Sequence, residues 1–328
     1  MATFGLWYFR WNGEENVSTL GNAENEFGRF FDYAVALPAR ERVDSGVKEL
    51  AVYTGNGFND GRKFAEDIFS TIKSIPVYVA IPYWKSYIPE PRENPKGGNK
   101  YWLDWLNGVL SVNSSNLRGF YWSLESAWMF INYYKDVLCN QGQMPYVNPQ
   151  TIDILSEEIH NRGLEFIWIP YARTYALQNT DIWPRDYPVC GKDWSIPGGS
   201  EFFDLVFVQS NYYQCRDWYK NVQWTDEEGK VRTGLSLGEW VDMLTDINRS
   251  KNTSNVFVEF ECDGRILTGG DDNCSGIWHP STEYKDRACK YVECSGQFIN
   301  RAYYFDTNLN NISFMNGYCQ ETLGERYV

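Results

Sequence analysis

Eight short apolar runs, spaced by longer amphipathic segments, set the terms on which this chain folds. The runs are FGLWYFRW (4–11), ELAVYTG (49–55), PVYVAIPYW (76–84), RGFYWSLE (118–125), EFIWIPY (165–171), DLVFVQSN (204–211), NVFVEFE (255–261) and RAYYFDTN (301–308). Most are apolar at consecutive positions, so both faces need cover, as in parallel strands with helices outside and core inside. Helical patterns over 59–75, 99–112, 148–163, 236–250 and 281–294 lie between most of them. In the third, Asn148 suits the cap, Pro149 the first turn and Gly163 the exit. In the fourth, Ser236 with Glu239 three residues on forms a capping box. Two links are irregular. Residues 172–203 carry Pro184, Pro188, Pro197 and Gly198-Gly199, and 212–235 include TDEEGKVRTG, expected as a hairpin around Glu228-Gly229. The repeated strand–helix alternation predicts an α/β fold. Its expected form is a (β/α)8 TIM barrel with irregular insertions after strands 5 and 6, as one domain over 1–328. An open doubly wound sheet is the alternative, but no GxGxxG follows the first strand.

Composition narrows the chemistry. The net charge is −13, and no Lys/Arg run offers a polyanion the basic face it needs, which argues against nucleic acid. Aromatic residues make up 17 %, with 14 Trp and 23 Tyr. Most fill a core, and the remainder suit surfaces that stack on flat apolar faces such as sugar rings. There are two histidines, His160 in a helical pattern and His279 before Pro280. A His-rich metal site or a Ser-His-Asp triad is hard to build from that supply, so chemistry falls to carboxylates. No cofactor and no metal are expected.

The eight cysteines, Cys139, Cys190, Cys215, Cys262, Cys274, Cys289, Cys294 and Cys319, include no CxxC pair. Their even number allows disulfides without specifying the pairing. Disulfides imply an oxidising compartment or a hyperthermophile cytosol. Six N-x-S/T sequons begin at Asn16, Asn113, Asn248, Asn252, Asn273 and Asn311. No apolar run reaches transmembrane length. The chain opens directly on a strand-like run, so no signal peptide is expected. The expected location is extracellular or cell-surface, with a hyperthermophile cytosol as the alternative.

In a (β/α)8 barrel the site lies at the C-terminal ends of the strands. Those ends carry Arg10 and Trp11, Tyr83 and Trp84, Glu125, Tyr171 with Arg173, Gln209 and Asn211 with Tyr212 and Tyr213, Glu259 and Glu261, and Asp306 and Asn308. Glu259 and Glu261 sit two apart and so share one strand face. Facing the helices unpartnered, a buried carboxylate costs several kcal/mol. Facing the barrel mouth avoids that cost. A structural ion pair with Arg10, Arg173 or Arg265 is the plainer alternative, as is a helix-start role for Glu125.

Together, Glu125 closing the fourth strand and Glu261 closing the seventh resemble the retaining glycoside hydrolases with (β/α)8 barrels. RGFYW…E also resembles an uncharacterised, glycosidase-like barrel family. The resemblance implies Glu125 as acid/base and Glu261 as nucleophile, with Glu259 the less favoured nucleophile. It implies a carbohydrate substrate, with Trp7, Trp84, Trp122, Tyr171, Tyr212 and Tyr213 as subsite walls and Arg10, Arg173, Gln209, Asn211 and Asp306 as polar contacts. One departure stands out. The superfamily often places Asn before the acid/base Glu, and here that residue is Leu124. A non-catalytic carbohydrate-binding barrel is the competing expectation. A barrel enzyme using a cation among Glu125, Glu259 and Asp306 is a third.

Overall fold

A computed structural model describes residues 1–39, 54–82, 100–125, 149–172, 196–226 and 228–328. Eight parallel strands close into a barrel: β1 Ala2–Trp11, β2 Tyr33–Pro38, β3 Val77–Ile81, β4 Leu117–Trp122, β5 Glu165–Trp168, β6 Leu205–Gln209, β7 Val256–Glu261 and β8 Asn300–Tyr304. Each pairs with the next, and β8 returns to β1 with Ala2 opposite Asn300. A short antiparallel strand, Asn16–Ser18, pairs with the end of β1.

One strand differs from the sequence expectation. The second barrel position is filled by Tyr33–Pro38, not by ELAVYTG. Residues 49–53 lie outside the described residues, and Thr54 and Gly55 are not in a strand. The YAVALP run packs on β1 over six paired positions, from Phe4 opposite Tyr33 to Phe9 opposite Pro38. Proximity along the chain, with only the short Asn16–Ser18 strand and a one-turn helix at Glu24–Phe27 between them, favours it over the more distant run.

Among the described residues the helices of two turns or more are α1 Gly57–Thr71, α2 Lys100–Leu110, α3 Pro149–His160, α4 Tyr212–Tyr219, α5 Leu237–Lys251, α6 Ser281–Cys294 and α7 Leu309–Leu323. The Ser236–Glu239 capping box at the start of α5 is formed in both directions. The insertion after β6 holds α4 and a hairpin, Gln223–Thr225 against Val231–Thr233, as expected. Most of the link after β5 lies outside the described residues.

Helices α1 and α2 cross at a glycine seam. A Cβ added at Gly57 or Gly61 meets the carbonyl oxygens of Tyr101 or Trp105 at 2.3 Å, and one at Gly108 meets that of Phe58 at 2.1 Å. These are backbone atoms, so the helices themselves must part. Gly61→Ala is expected to cost about 2 kcal/mol by overpacking. The check is a lower denaturation midpoint with an unchanged m-value.

Among the described residues two disulfides form, Cys215–Cys274 and Cys289–Cys319, while Cys262 and Cys294 are free thiols. Cys139 and Cys190 lie outside the described residues. Four of the six sequon asparagines spend their side-chain N–H inside the fold. Asn16 donates to Asp67 (2.6 Å), Asn248 to the Val256 carbonyl (2.8 Å), Asn273 to Gln214 (2.7 Å) and Asn311 to the Phe305 carbonyl (3.2 Å). The other two, Asn113 and Asn252, hold left-handed turns at φ 52° and 51°. Asparagine is favoured at such turns, so all six have structural reasons to be there. Among the described residues no helix is long and apolar enough to cross a membrane.

Candidate active site

Strand alternation delivers a set of side chains to one cleft. On each strand every second residue faces the barrel axis. That face carries Leu6, Tyr8 and Arg10 on β1, Ser123 and Glu125 at the end of β4, Gln209 and Asn211 at the end of β6, Glu259 and Glu261 on β7, and Tyr304 and Asp306 at the end of β8. All line a cleft of about 490 Å³ at the C-terminal mouth, together with Tyr171 and Gln214. The two same-face glutamates of β7 therefore line one cavity with Glu125 of β4.

Of the substrate contacts read from sequence, the polar residues Arg10, Gln209, Asn211 and Asp306 and the wall residue Tyr171 reach the cleft. Trp84 and Arg173 lie outside the described residues. Trp122 does not reach it. It sits at an odd position relative to Ser123 and Glu125, so the strand turns it outward, fully buried against Trp102 of α2. Trp7 is likewise outward, buried beside Phe27 with its indole N–H on Ser18 (2.8 Å). Tyr212 packs edge-on to Tyr219 and Tyr291 rather than lining the cleft. Tyr213 is buried with its hydroxyl on Asp263 (2.9 Å). Leu124, where the superfamily often has Asn, is buried, and its carbonyl accepts the Trp168 indole N–H (2.8 Å).

Asn211 and Asp306 adopt left-handed backbone, φ 54° and 60°. They follow β6 and β8, the two strands that flank β7. Non-glycine residues with positive φ carry a local strain cost and concentrate at functional sites. Here they turn the chain sharply beside the two glutamates.

The glutamates differ in their surroundings. Both are 1 % exposed, and neither is in ion-pair range of an arginine or lysine among the described residues. Arg265, one plausible partner, is instead committed to Asp263 (2.7 Å) and lies over the Tyr284 ring. Glu259 has a buried oxygen, Oε1, with no hydrogen-bond partner. Burial, then the charges of Glu261 and Glu125, push its carboxyl well above the usual range. Glu261 has donors at both oxygens: the Tyr291 hydroxyl at 2.5 Å on Oε2 and the Gln214 amide at 3.1 Å on Oε1. Burial raises it to about 7, with those donors and the Tyr213 backbone N–H opposing the rise. Burial, then the charge of Asp263, raises Asp306 as well. Of the pair on β7, Glu259 lacks the donors that oppose the effect of burial on Glu261.

Sequence reading did not find Gln214 or Tyr291. Both sit on helices, one polar residue after two tyrosines and one aromatic in an amphipathic pattern, and nothing local marks either as a contact of β7. The histidines are structural. His160 meets Asp204 (2.9 Å), and His279 lies between Asp217 and Glu283, each at 2.9 Å. Asp217, Asp272 and His279 are close enough together to suggest a metal site. Their atoms are already engaged, however, by Lys220 (2.6 Å), Arg287 (2.9 Å) and Ser275 (2.8 Å). They form an ion network.

Comparison with known proteins gives a sequence relative and several solved structures. No family model matches the chain. An uncharacterised protein of Methanocaldococcus jannaschii is 28 % identical over 94 % of this chain and 89 % of its own length. A GH18 chitinase from Pseudoalteromonas aurantia superposes with a TM-score of 0.48 at 13 % identity, covering 96 % of this chain and 99 % of that one. The second catalytic domain of an Ostrinia furnacalis Group II chitinase gives 0.47 at 10 %, over 97 % and 92 %. The barrel itself rests on the strand pairing described above, not on these likenesses.

Proposed function

We propose that the chain is a glycoside hydrolase, one catalytic (β/α)8 domain over 1–328, acting on a polysaccharide or glycan bound across the cleft. The observation that carries this reading is the cleft itself, in which carboxyl groups from β4 and β7 line one cavity at the C-terminal mouth of the barrel. A pair of carboxyls flanking one cleft supplies the acid and the nucleophile that glycoside hydrolysis needs.

In the reaction, Glu125, half-buried at the cleft, protonates the leaving oxygen as the glycosidic bond breaks. Ionised Glu261 attacks the anomeric carbon and forms a glycosyl–enzyme ester. Water then attacks that carbon, Glu125 takes its proton, and Glu261 leaves as carboxylate. Two displacements retain the anomeric configuration. Glu259 stays protonated beneath them and limits the negative charge of the site. Arg10, Tyr171, Asn211 and Asp306 orient sugar hydroxyls. We further propose an extracellular or cell-surface location, which the two disulfides support.

The test screens neutral, amino and acidic polysaccharides with the wild type and Glu125→Gln side by side, reading reducing ends and the anomer of the first product by NMR. Hydrolysis by the wild type with retention, and its loss in the variant, is expected. Equal activity in both overturns the assignment. Binding without hydrolysis in both identifies a carbohydrate-binding barrel instead.

A further inference from the structure

Glu261 is held from two directions by side chains of the outer helices α4 and α6. From α6, Tyr291 is fully buried and donates its hydroxyl proton to Oε2 at 2.5 Å. With that proton committed, Ser210 must donate to the Tyr291 oxygen, at 2.6 Å. Ser210 Oγ in turn accepts the backbone N–H of Tyr212, at 3.0 Å. Its carbonyl is fixed by the Tyr219 hydroxyl at 2.8 Å. The result is a buried chain of hydrogen bonds with one direction, Tyr212 N–H to Ser210 to Tyr291 to Glu261. Aligned donors of this kind polarise one another and favour the charged acceptor at their end.

From α4, Gln214 donates to Oε1 at 3.1 Å. Its own carbonyl oxygen accepts from Asn273 at 2.7 Å, and its backbone carbonyl accepts the Asn273 N–H at 2.8 Å. The next residue on each side, Cys215 and Cys274, forms a disulfide. The link therefore fixes the amide that faces Glu261. Glu259, two residues earlier on the same strand face, has neither arrangement.

We propose that Tyr291 is a positioning residue for Glu261: with Ser210 behind it and Gln214 opposite, it makes Glu261, and not Glu259, the carboxylate that ionises and attacks. The inference rests on the glycosidase reading above and deepens it. Several titratable groups bear on Glu261. Glu259, Cys262 and Asp263 lie on its own strand and the following loop. Tyr219 of α4, Tyr291 of α6, Tyr304 of β8 and Tyr327 near the end of the chain face it from the packed elements. None of these except Tyr291 donates a side-chain hydrogen bond to it.

The test is Tyr291→Phe, which keeps the ring and its packing on Phe260 and removes only the donor. Carboxyl NMR of ¹³C-glutamate-labelled protein, with Glu261→Gln identifying the Glu261 signal, reads the titration without a substrate. The Glu261 midpoint is expected to rise by about one to two pH units, while Glu259 stays protonated. In kinetics the acid limb of kcat/KM is expected to move up by the same amount, with kcat at pH 7 down roughly 10- to 100-fold and KM little changed. Ser210→Ala is expected to give a smaller shift in the same direction. Tyr318→Phe, a surface tyrosine bonded to Asp286, serves as the unshifted control. An unmoved Glu261 titration in Tyr291→Phe overturns the inference. If the wild type hydrolyses no glycan while Tyr291→Phe still shifts the Glu261 titration, the glycosidase reading fails and the positioning of Glu261 by Tyr291 stands.

Discussion

Glu261→Gln is expected to lower glycan hydrolysis by roughly 10⁴-fold or more at pH 7, with substrate affinity almost unchanged. Glutamine accepts the Tyr291 hydroxyl much as glutamate does, so the fold around β7 is preserved. What is lost is the anion that bonds the anomeric carbon. Glu125→Gln should behave differently. Its loss of roughly 10²- to 10⁴-fold reflects proton transfer to the leaving group. That loss should shrink for aryl glycosides whose leaving oxygen needs no proton. Glu259→Gln keeps the uncharged form that burial favours for this carboxyl, and its activity should stay within about tenfold of wild type. Burst kinetics and product analysis on all three variants decide the matter. Full activity in Glu261→Gln with loss in Glu259→Gln would reverse the roles of the pair on β7.

The same two carboxyls should make the protein less stable as the pH rises. In the unfolded chain each titrates near 4.5, whereas burial lifts Glu261 to about 7 and Glu259 well above its ordinary value. Between pH 4.5 and 7 the folded chain therefore binds more protons than the unfolded one, and unfolding free energy falls with pH. The contribution is fully present below pH 4.5 and is lost as pH rises through 7. For Glu261 alone, from 4.5 to about 7, this amounts to about 3 kcal/mol, and Glu259 adds to it. Asp217, held below its ordinary value by burial-opposed hydrogen bonds from Lys220, His279 and Ser275, acts only in more acidic solution and leaves this window untouched. Glu261→Gln and Glu259→Gln should each flatten the decline and unfold at higher denaturant than wild type at pH 8. Wild type and variants whose midpoints fall in parallel from pH 5 to pH 8 would remove the buried-carboxylate explanation.

The architecture was legible because its signal is repeated. Seven of the eight barrel strands follow from apolar runs that burial reinforces, and the Ser236 cap and the hairpin near Gly229 follow from capping and turn residues. The missed strand, Tyr33–Pro38, is as apolar as the run at 49–55, and only proximity to β1 distinguishes them. Glu125, Glu259 and Glu261 stood out because a carboxylate in an apolar strand needs an explanation. Trp122 misled because aromatic content says nothing about facing. A one-residue step in strand phase separates Trp122 on the helix side from Ser123 on the cleft side. Tyr291 and Gln214 were out of reach because their contacts with β7 depend on how α4 and α6 pack, which no short motif encodes.

The sequon asparagines bear on how the protein should be made. A secretory host that attaches glycans to the nascent chain modifies Asn before the fold can claim it. At Asn16 and Asn311, 3 % and 1 % exposed, an attached oligosaccharide has no room and native packing is blocked. At Asn273 it would take the N–H that steadies Gln214 against Glu261, so material that still folded would carry a loosened nucleophile. Bacterial production with an oxidising step for the two disulfides avoids both outcomes, and yeast or insect material needs its glycosylation state checked before any kinetic comparison.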